Sequence, residues 1–70
     1  MLFQNRVVSS VFATSAGGAQ AFIVGLGFRV IAPGPGQQNV VSVLSDAMAN
    51  GRQVHVFINA AGQISTAQMI

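Results

Sequence analysis

The sequence predicts a mainly β protein with one helix, and three observations support this. Runs of β-branched and aromatic residues occur in both halves of the chain. A Pro-Gly-Pro-Gly segment at residues 33–36 separates them, and apolar residues at helical spacing follow it. With 70 residues, the chain has room for one domain. We expect the order β-β-β-α-β-β within a single domain spanning residues 1–70.

The first two strands are expected before and after a glycine pair. Residues 6–14 are rich in β-branched and aromatic types, which favour strands. Gly17-Gly18 then suits a tight hairpin turn, because positive φ angles cost glycine little. The second strand is expected at residues 19–26.

A third strand is expected directly after the second. Gly25 and Gly27 lie close together in the strand pattern, and such glycines indicate a bulge or a sharp bend. Residues 28–32 therefore continue as a strand after a change of direction. The Pro-Gly-Pro-Gly segment ends it, because proline cannot continue a ladder.

One helix is expected over residues 40–50. Asn39 is a suitable N-cap, since its side-chain oxygen can accept from free amides of the first turn. Gly51 suits the left-handed position that ends a helix. The residues expected to pack on the sheet are Val40, Val43, Leu44, Ala47 and Met48. The residues expected to face a pore or a neighbouring subunit are Ser42, Ser45, Asp46 and Ala49.

Two more strands are expected after the helix. Residues 53–59 alternate strictly, a pattern typical of a strand. One side holds Val54, Val56 and Ile58, and the other holds His55 and Phe57. A turn at residues 59–62 leads to a last strand at residues 63–70. Five strands with one helix between the third and fourth predict a small five-stranded OB-fold-like barrel, which is a partly open Greek-key barrel.

The composition favours assembly. Charged residues make up 6% of the chain and hydrophobic residues 51%, whereas soluble domains average about 25% charged. One core of this size rarely supplies more than about 3–5 kcal/mol, so small domains usually add a disulfide, a metal or oligomerisation. The sequence has no cysteine, and Asp46 and His55 are its only acidic residue and histidine. Disulfides and a four-ligand metal site are therefore excluded, and we expect a homo-oligomer.

Residues 43–57 follow a helix-Gly-basic-x-Val-strand pattern, with Gly51, Arg52 and Val54 at its positions, and a hairpin follows to residue 70. Over residues 39–70 the chain resembles the pentameric B subunits of bacterial A-B-type toxins. The resemblance implies a small OB barrel, a ring of five copies with helices lining a central pore, and glycan binding. This chain departs from the pattern of secreted members in having no cysteine, and it has no tryptophan or tyrosine to stack on a sugar.

If a glycan binds, polar groups near the last hairpin are the candidates by position. They are Arg52, Asn59 and Gln63. We expect no cofactor, no metal and no catalytic residues. One acid per chain excludes paired-carboxylate chemistry, and no serine lies in a G-x-S-x-G elbow. His55 is interpreted as a partly buried structural or interface residue. The alternative is a functional role in which it makes a ring interface sensitive to pH.

Single-stranded nucleic acid is the alternative ligand, because OB-folds bind it with a basic groove and aromatic platforms. Arg6, Arg29 and Arg52 supply charge. The aromatic candidates are Phe12, Phe22, Phe28 and Phe57. Phenylalanines at alternating positions are more typical of a core, so we expect them inside and do not expect nucleic acid as the main partner. A purely structural assembly protein is the remaining alternative.

No membrane span or targeting segment is expected. The apolar stretch of residues 19–32 has 14 residues and contains Arg29, whereas a spanning helix needs about 20. The apolar run after Arg6 is interrupted by serines, which favours a strand over a signal peptide. The sequence gives no localisation.

Overall fold

Five strands and one helix follow each other in the expected order in the computed structural model, which describes residues 1–13 and 18–70. They are β1 (Leu2–Ala13), β2 (Ala19–Ile23), β3 (Gly27–Val30), α1 (Gln37–Ala49), β4 (Gln53–Ile58) and β5 (Ile64–Met69). The prediction of a mainly β chain in the order β-β-β-α-β-β is confirmed. The turn expected at Gly17-Gly18 lies partly outside the described residues.

The long first strand organises the sheet. The strands are antiparallel neighbours in the order β3-β2-β1-β4-β5, and β1 pairs with β4 through its first half and with β2 through its second. Its register shifts between Phe3 and Arg6 and again between Val8 and Ser10. Such bulges bend a strand and increase its twist. The two halves of the sheet can therefore curve around one core.

The sheet is not closed into the expected barrel. Its edge strands β3 and β5 meet at a single parallel bridge between Ile31 and Ile64, beside which the Ala32 amide donates to the Ile64 carbonyl at 2.8 Å. The reason is local, because β3 is only four residues long and Pro33 follows Ala32 without an N–H to continue the ladder. The ladders thus form an open sheet whose edges touch at one point.

The glycine-bracketed bend between β2 and β3 is a complete chain reversal. The Leu26 amide donates to the Ile23 carbonyl at 2.9 Å, which closes a tight turn. Gly25 and Gly27 have φ angles of 89° and 78°, a region that favours glycine. The second strand consequently ends at Ile23, three residues earlier than expected.

The buried core lies between the inner face of the sheet and α1. The buried residues are Val8, Ala19, Ala21, Ile23, Ile31, Leu44, Ala47, Val54, Val56, Ile58 and Ile64. They include every second residue of β4, as its alternation predicted. His55 on the opposite face is half-buried, and Phe57 is exposed.

The expectation that the phenylalanines form the core is wrong. All five lie within the described residues, and none belongs to the buried set. The inner positions of β2 are Ala19, Ala21 and Ile23, and Phe22 lies between two of them. Because strand side chains alternate between faces, this places Phe22 on the outside of the sheet.

The helix begins earlier than expected. It starts at Gln37 after Gly36, and no side chain caps it, so the N-cap expected at Asn39 is wrong. The physical reason is the preceding turn, in which the Gln37 amide donates to the Gly34 carbonyl at 3.1 Å. The chain therefore already has helical hydrogen bonding as it leaves the Pro-Gly segment.

The helix ends as the sequence predicted. Gly51 has a φ of 64°, and its amide donates to the Met48 carbonyl at 3.3 Å. The Arg52 amide donates to the Ala47 carbonyl at 2.8 Å. These two bonds form a Schellman motif, which satisfies the last free carbonyls of a helix.

The face of α1 that packs on the sheet differs from the expected one in part. Leu44 and Ala47 are fully buried, and Val40 and Val41 pack against them. Met48 was expected inside but is 40% exposed, because it lies in the last turn, one residue before the helix ends. Of the residues expected to face a pore or neighbour, Ser45 is half-buried and the others, Ser42, Asp46 and Ala49, are exposed.

Candidate functional site

Arg29 points from β3 toward the inside of the molecule. It pairs across the strands with Ala21, which is fully buried, and paired residues in an antiparallel sheet share a face. Its neighbours Phe28 and Val30 are exposed, whereas Arg29 is half-buried. The Arg29 Nε is buried and has no hydrogen-bond partner among the described residues.

A cavity of about 470 Å³, open to solvent, has Arg29 in its lining. It lies at the end of the sheet where β4 turns into β5. Its lining residues are Met1, Phe3, Arg29, Phe57, Ile58, Asn59 and Ala60. Arg29 is the one charged side chain in this lining, and Asn59 is the one polar neutral side chain. The Met1 ammonium, which donates to the Ile58 carbonyl at 2.5 Å, is a second positive group beside this lining. The cavity is therefore a largely apolar space with cationic groups and no acidic one.

Arg6 lies next to the same region. It pairs with the fully buried Val54, so it also starts from the inner face. Its guanidinium carbon lies 5.5 Å from the centroid of the Phe3 ring, within the range of a cation–π contact. A Cβ built on Gly25 would lie 2.8 Å from the Nη1 of Arg6. Phe3 thus contacts one arginine and lines the cavity that holds the other.

The two inward arginines have no acidic partner among the described residues. Like that of Arg29, the Nε of Arg6 is buried and unbonded there. Asp46, the only acidic residue of the sequence, is exposed on α1. Two half-buried guanidinium groups therefore give the inside of this sheet end a positive potential.

The residues expected to bind a glycan are not brought together as one site. Asn59 and Gln63 are joined in the turn between β4 and β5. The Asn59 Oδ1 accepts from the amides of Ala61 at 3.0 Å and Gln63 at 2.9 Å. Arg52 lies at the other end of β4, roughly 20 Å away at the usual rise of a strand, and its Nε donates to the Ile70 carbonyl at 2.8 Å.

His55 has a structural contact on the outer face of β4. Its Nδ1 accepts from the Asn5 amide at 3.3 Å. Asn5 lies in the first bulge of β1 and has a φ of 56°, which non-glycine residues seldom adopt. The contact agrees with the interpretation of His55 as a structural residue.

Three phenylalanines form a cluster on the outer face of β1, β2 and β3, in which Phe12 and Phe28 are exposed and Phe22 is half-buried. The ring centroids of Phe22 and Phe28 are 4.8 Å apart, and those of Phe12 and Phe28 are 6.1 Å apart, both edge-to-face. Val30 follows on the same face of the edge strand and is 42% exposed. We call Phe12, Phe22, Phe28 and Val30 the aromatic patch.

Sequence reasoning missed the cavity and the role of Arg29 in it. Alternation counted from Ile31 could have placed Arg29 on the inner face, because the two residues are two positions apart. Nothing local to β3 could have shown that Phe3 and the β4–β5 turn meet it there. That neighbourhood depends on pairing between distant parts of the chain.

Comparisons of the chain with protein-family models, curated proteins and solved structures give no match. Within residues 1–13 and 18–70, no helix is long and apolar enough to cross a membrane. In the same part of the chain, no three His, Cys, Asp or Glu side chains lie close enough to hold a metal ion. The candidate site therefore rests on the cavity and the aromatic patch alone.

Proposed function

We propose that this protein is a non-enzymatic, self-assembling scaffold or binding module, a homo-oligomeric ring of five small OB-type domains. The aromatic patch is the observation that supports assembly. It is exposed at the edge of the sheet in a chain whose charged residues are three arginines and one aspartate.

The connectivity supports the OB-type domain. β1 is central, with β2 and β3 on one side and β4 and β5 on the other. The helix lies in the connection between β3 and β4, and the two edges touch at Ile31 and Ile64. A curved sheet of this order with one edge contact is compatible with a partly open barrel.

The aromatic patch gives a physical reason for a second copy to bind. Phe28 is 62% exposed and lies on an edge strand. Contiguous exposed apolar surface is characteristic of interaction sites, and an edge strand also presents unpaired backbone groups. Contact with another copy would cover both.

The two different edges favour a ring over a symmetric pair. If β3 of one copy lies against β5 of the next, each copy uses two different surfaces. Such head-to-tail contacts generate a ring when the rotation closes. Five is the number that the resemblance to toxin B subunits implies. The exposed side of α1 would then remain free to face a pore.

The position of the arginines argues against nucleic acid as the ligand of the patch. Binding of single strands combines stacking platforms with a basic groove. Arg6 and Arg29 point to the inner face of the sheet, and Arg52 lies beside Ile70. The aromatic patch therefore has no cationic side chain on its own face among the described residues.

The turn residues do not add a glycan site to the proposal. The side-chain oxygen of Asn59 is occupied by two backbone amides, and its Nδ2 donates to the Gln63 Oε1 at 3.3 Å. Arg52 lies too far away to complete a site with them. The proposal therefore includes no glycan site.

The test is the solution mass of the intact chain by light scattering after size exclusion, at several concentrations. We expect a mass near five times 7.2 kDa. Phe28→Lys should reduce the mass, because a charge in a buried apolar contact carries a large desolvation cost. Met48→Lys is the matched control, since it adds the same charge at an exposed apolar residue of α1, and it should keep the mass.

Several results would contradict the proposal. A monomer at every concentration would reject self-assembly. A stable dimer or trimer would retain self-assembly and reject the ring of five. An unchanged mass for Phe28→Lys, with a far-ultraviolet spectrum like that of the unaltered chain, would reject the aromatic patch as the contact surface.

A further inference from the structure

We propose that the cavity at the β4–β5 end of the sheet binds a small aromatic anion, whose phosphate or carboxylate group is held by Arg29. This site is separate from the aromatic patch, and the inference does not depend on the proposed assembly.

The first argument is that the charge of Arg29 has no acidic partner among the described residues. Its Nε is buried and lacks a hydrogen-bond partner among the described residues. A guanidinium group cannot escape the cost of burial by losing its proton, so a partly buried one is stabilised by an anion. Phosphate and carboxylate oxygens match its parallel N–H groups and form paired, charge-assisted hydrogen bonds.

The second argument is how the guanidinium is placed. A Cβ built on Gly62 would lie 3.4 Å from the Arg29 Nη1, so the group lies against the backbone of the β4–β5 turn. Gly62 has a φ of 79° and lies in the turn that the Asn59 side chain holds. A rigid turn thus keeps the charge at the cavity wall, and less ordering is required when a ligand binds.

The third argument is the chemistry of the remaining walls. The volume of about 470 Å³ lies within the roughly 300–1,000 Å³ of small-molecule sites, which are largely apolar with a few polar groups. Phe3 and Phe57 provide aromatic walls. An aromatic ring attached to the anionic group would pack edge-to-face or offset against them.

The electrostatics select against cations. The lining contains no acidic side chain, and Arg6 lies 5.5 Å from the Phe3 ring that forms part of the wall. Both arginines therefore favour a negative ligand in the cavity. The expected ligand has one oxyanion and one apolar ring.

The test titrates the full-length chain with phenyl phosphate and with benzoate, followed by NMR of the Met1 methyl and the Phe3 ring. Benzyl alcohol is the control ligand, because it keeps the ring and lacks the charge. We expect saturable shifts with one or both anions and at least about tenfold weaker binding of the alcohol, since hydrogen bonds to charged groups contribute about 1.5–3 kcal/mol.

The matched variants are Arg29→Gln and Arg52→Gln. Arg29→Gln should weaken anion binding about tenfold or more, whereas Arg52→Gln, at the far end of β4, should leave it unchanged. Arg29→Lys keeps the charge but loses the planar fork of donors. Its affinity for the anions should therefore lie between that of Arg29→Gln and that of the unaltered chain. Arg29→Lys replaces Arg29→Gln as the decisive variant if circular dichroism shows that Arg29→Gln does not fold.

Three results would overturn the inference. One is the absence of saturable shifts with either anion. Another is that Arg29→Gln binds the anions as tightly as the unaltered chain does. If Arg29→Gln does not fold, the same result for Arg29→Lys overturns the inference. The third is equally tight binding of inorganic phosphate and phenyl phosphate, which would reject the aromatic part of the ligand. Preference for phenyl phosphate or for benzoate identifies which oxyanion the site takes.

Discussion

At the scale of single residues, Asn59 determines the shape of the turn that closes the cavity end. Its Oδ1 accepts from two backbone amides, and its own amide donates to the Gln63 carbonyl at 2.9 Å. An asparagine that binds the backbone two residues on is a common turn device. The same turn also places Gly62 against the Arg29 guanidinium group.

Replacing Asn59 should therefore destabilise the fold more than replacing its side-chain partner. We expect Asn59→Ala to lower the free energy of unfolding by about 1–3 kcal/mol, because two turn amides lose their acceptor. Gln63→Ala removes only the 3.3 Å side-chain contact and should cost less than about 0.5 kcal/mol. Urea unfolding measures both. Equal losses would show that the Asn59 oxygen does not hold the turn.

Residue by residue, the sequence allows good predictions of local features and poor predictions of where large side chains point. The alternation in β4 and the role of Gly51 depend on neighbouring residues and were predicted. The positions of Phe22 and Arg29 were not predicted, because the residue type and its charge were given more weight than the alternation of side chains along the strand. An arginine on the inner face and a phenylalanine on the outer face reverse the usual preference.

At the scale of elements, β1 explains both the success and the limits of prediction. The sequence predicted a strand over residues 6–14, whereas β1 begins at Leu2. Its first half lacks clean alternation, because the bulge around Asn5 shifts the phase against β4. Pairing between segments about fifty residues apart decides where this strand begins, and a local pattern does not contain that information.

The contact between the edges of β3 and β5 can be tested by hydrogen exchange. The Ala32 amide bonds across it to Ile64, and the neighbouring Ile31 amide bonds to the Ala19 carbonyl at 2.9 Å. If the edges stay joined, both amides open with the core and should be protected to within about tenfold of each other. Fast exchange at Ala32 with a protected Ile31 would show that this edge contact opens by itself.

At the scale of the whole molecule, the fold has a small core and a surface with few charged residues. Eleven of the residues that the structure describes are buried. Several of them are alanine or valine, so each contributes little apolar area. The sequence predicted from composition that such a chain would need assembly. It could not predict the cavity, which forms only where residues from β1, β3, β4 and the β4–β5 turn meet.

If assembly stabilises the fold, thermal stability must depend on protein concentration. For five chains that assemble as they fold, a hundredfold rise in concentration adds roughly 2 kcal/mol per chain by mass action. For a domain of this size, that corresponds to a Tm higher by about 10 °C. Scanning calorimetry of the unaltered chain should show this rise, and Phe28→Lys should not. A Tm independent of concentration in both would mean that the small core is sufficient, and the exposed phenylalanines would then need another partner.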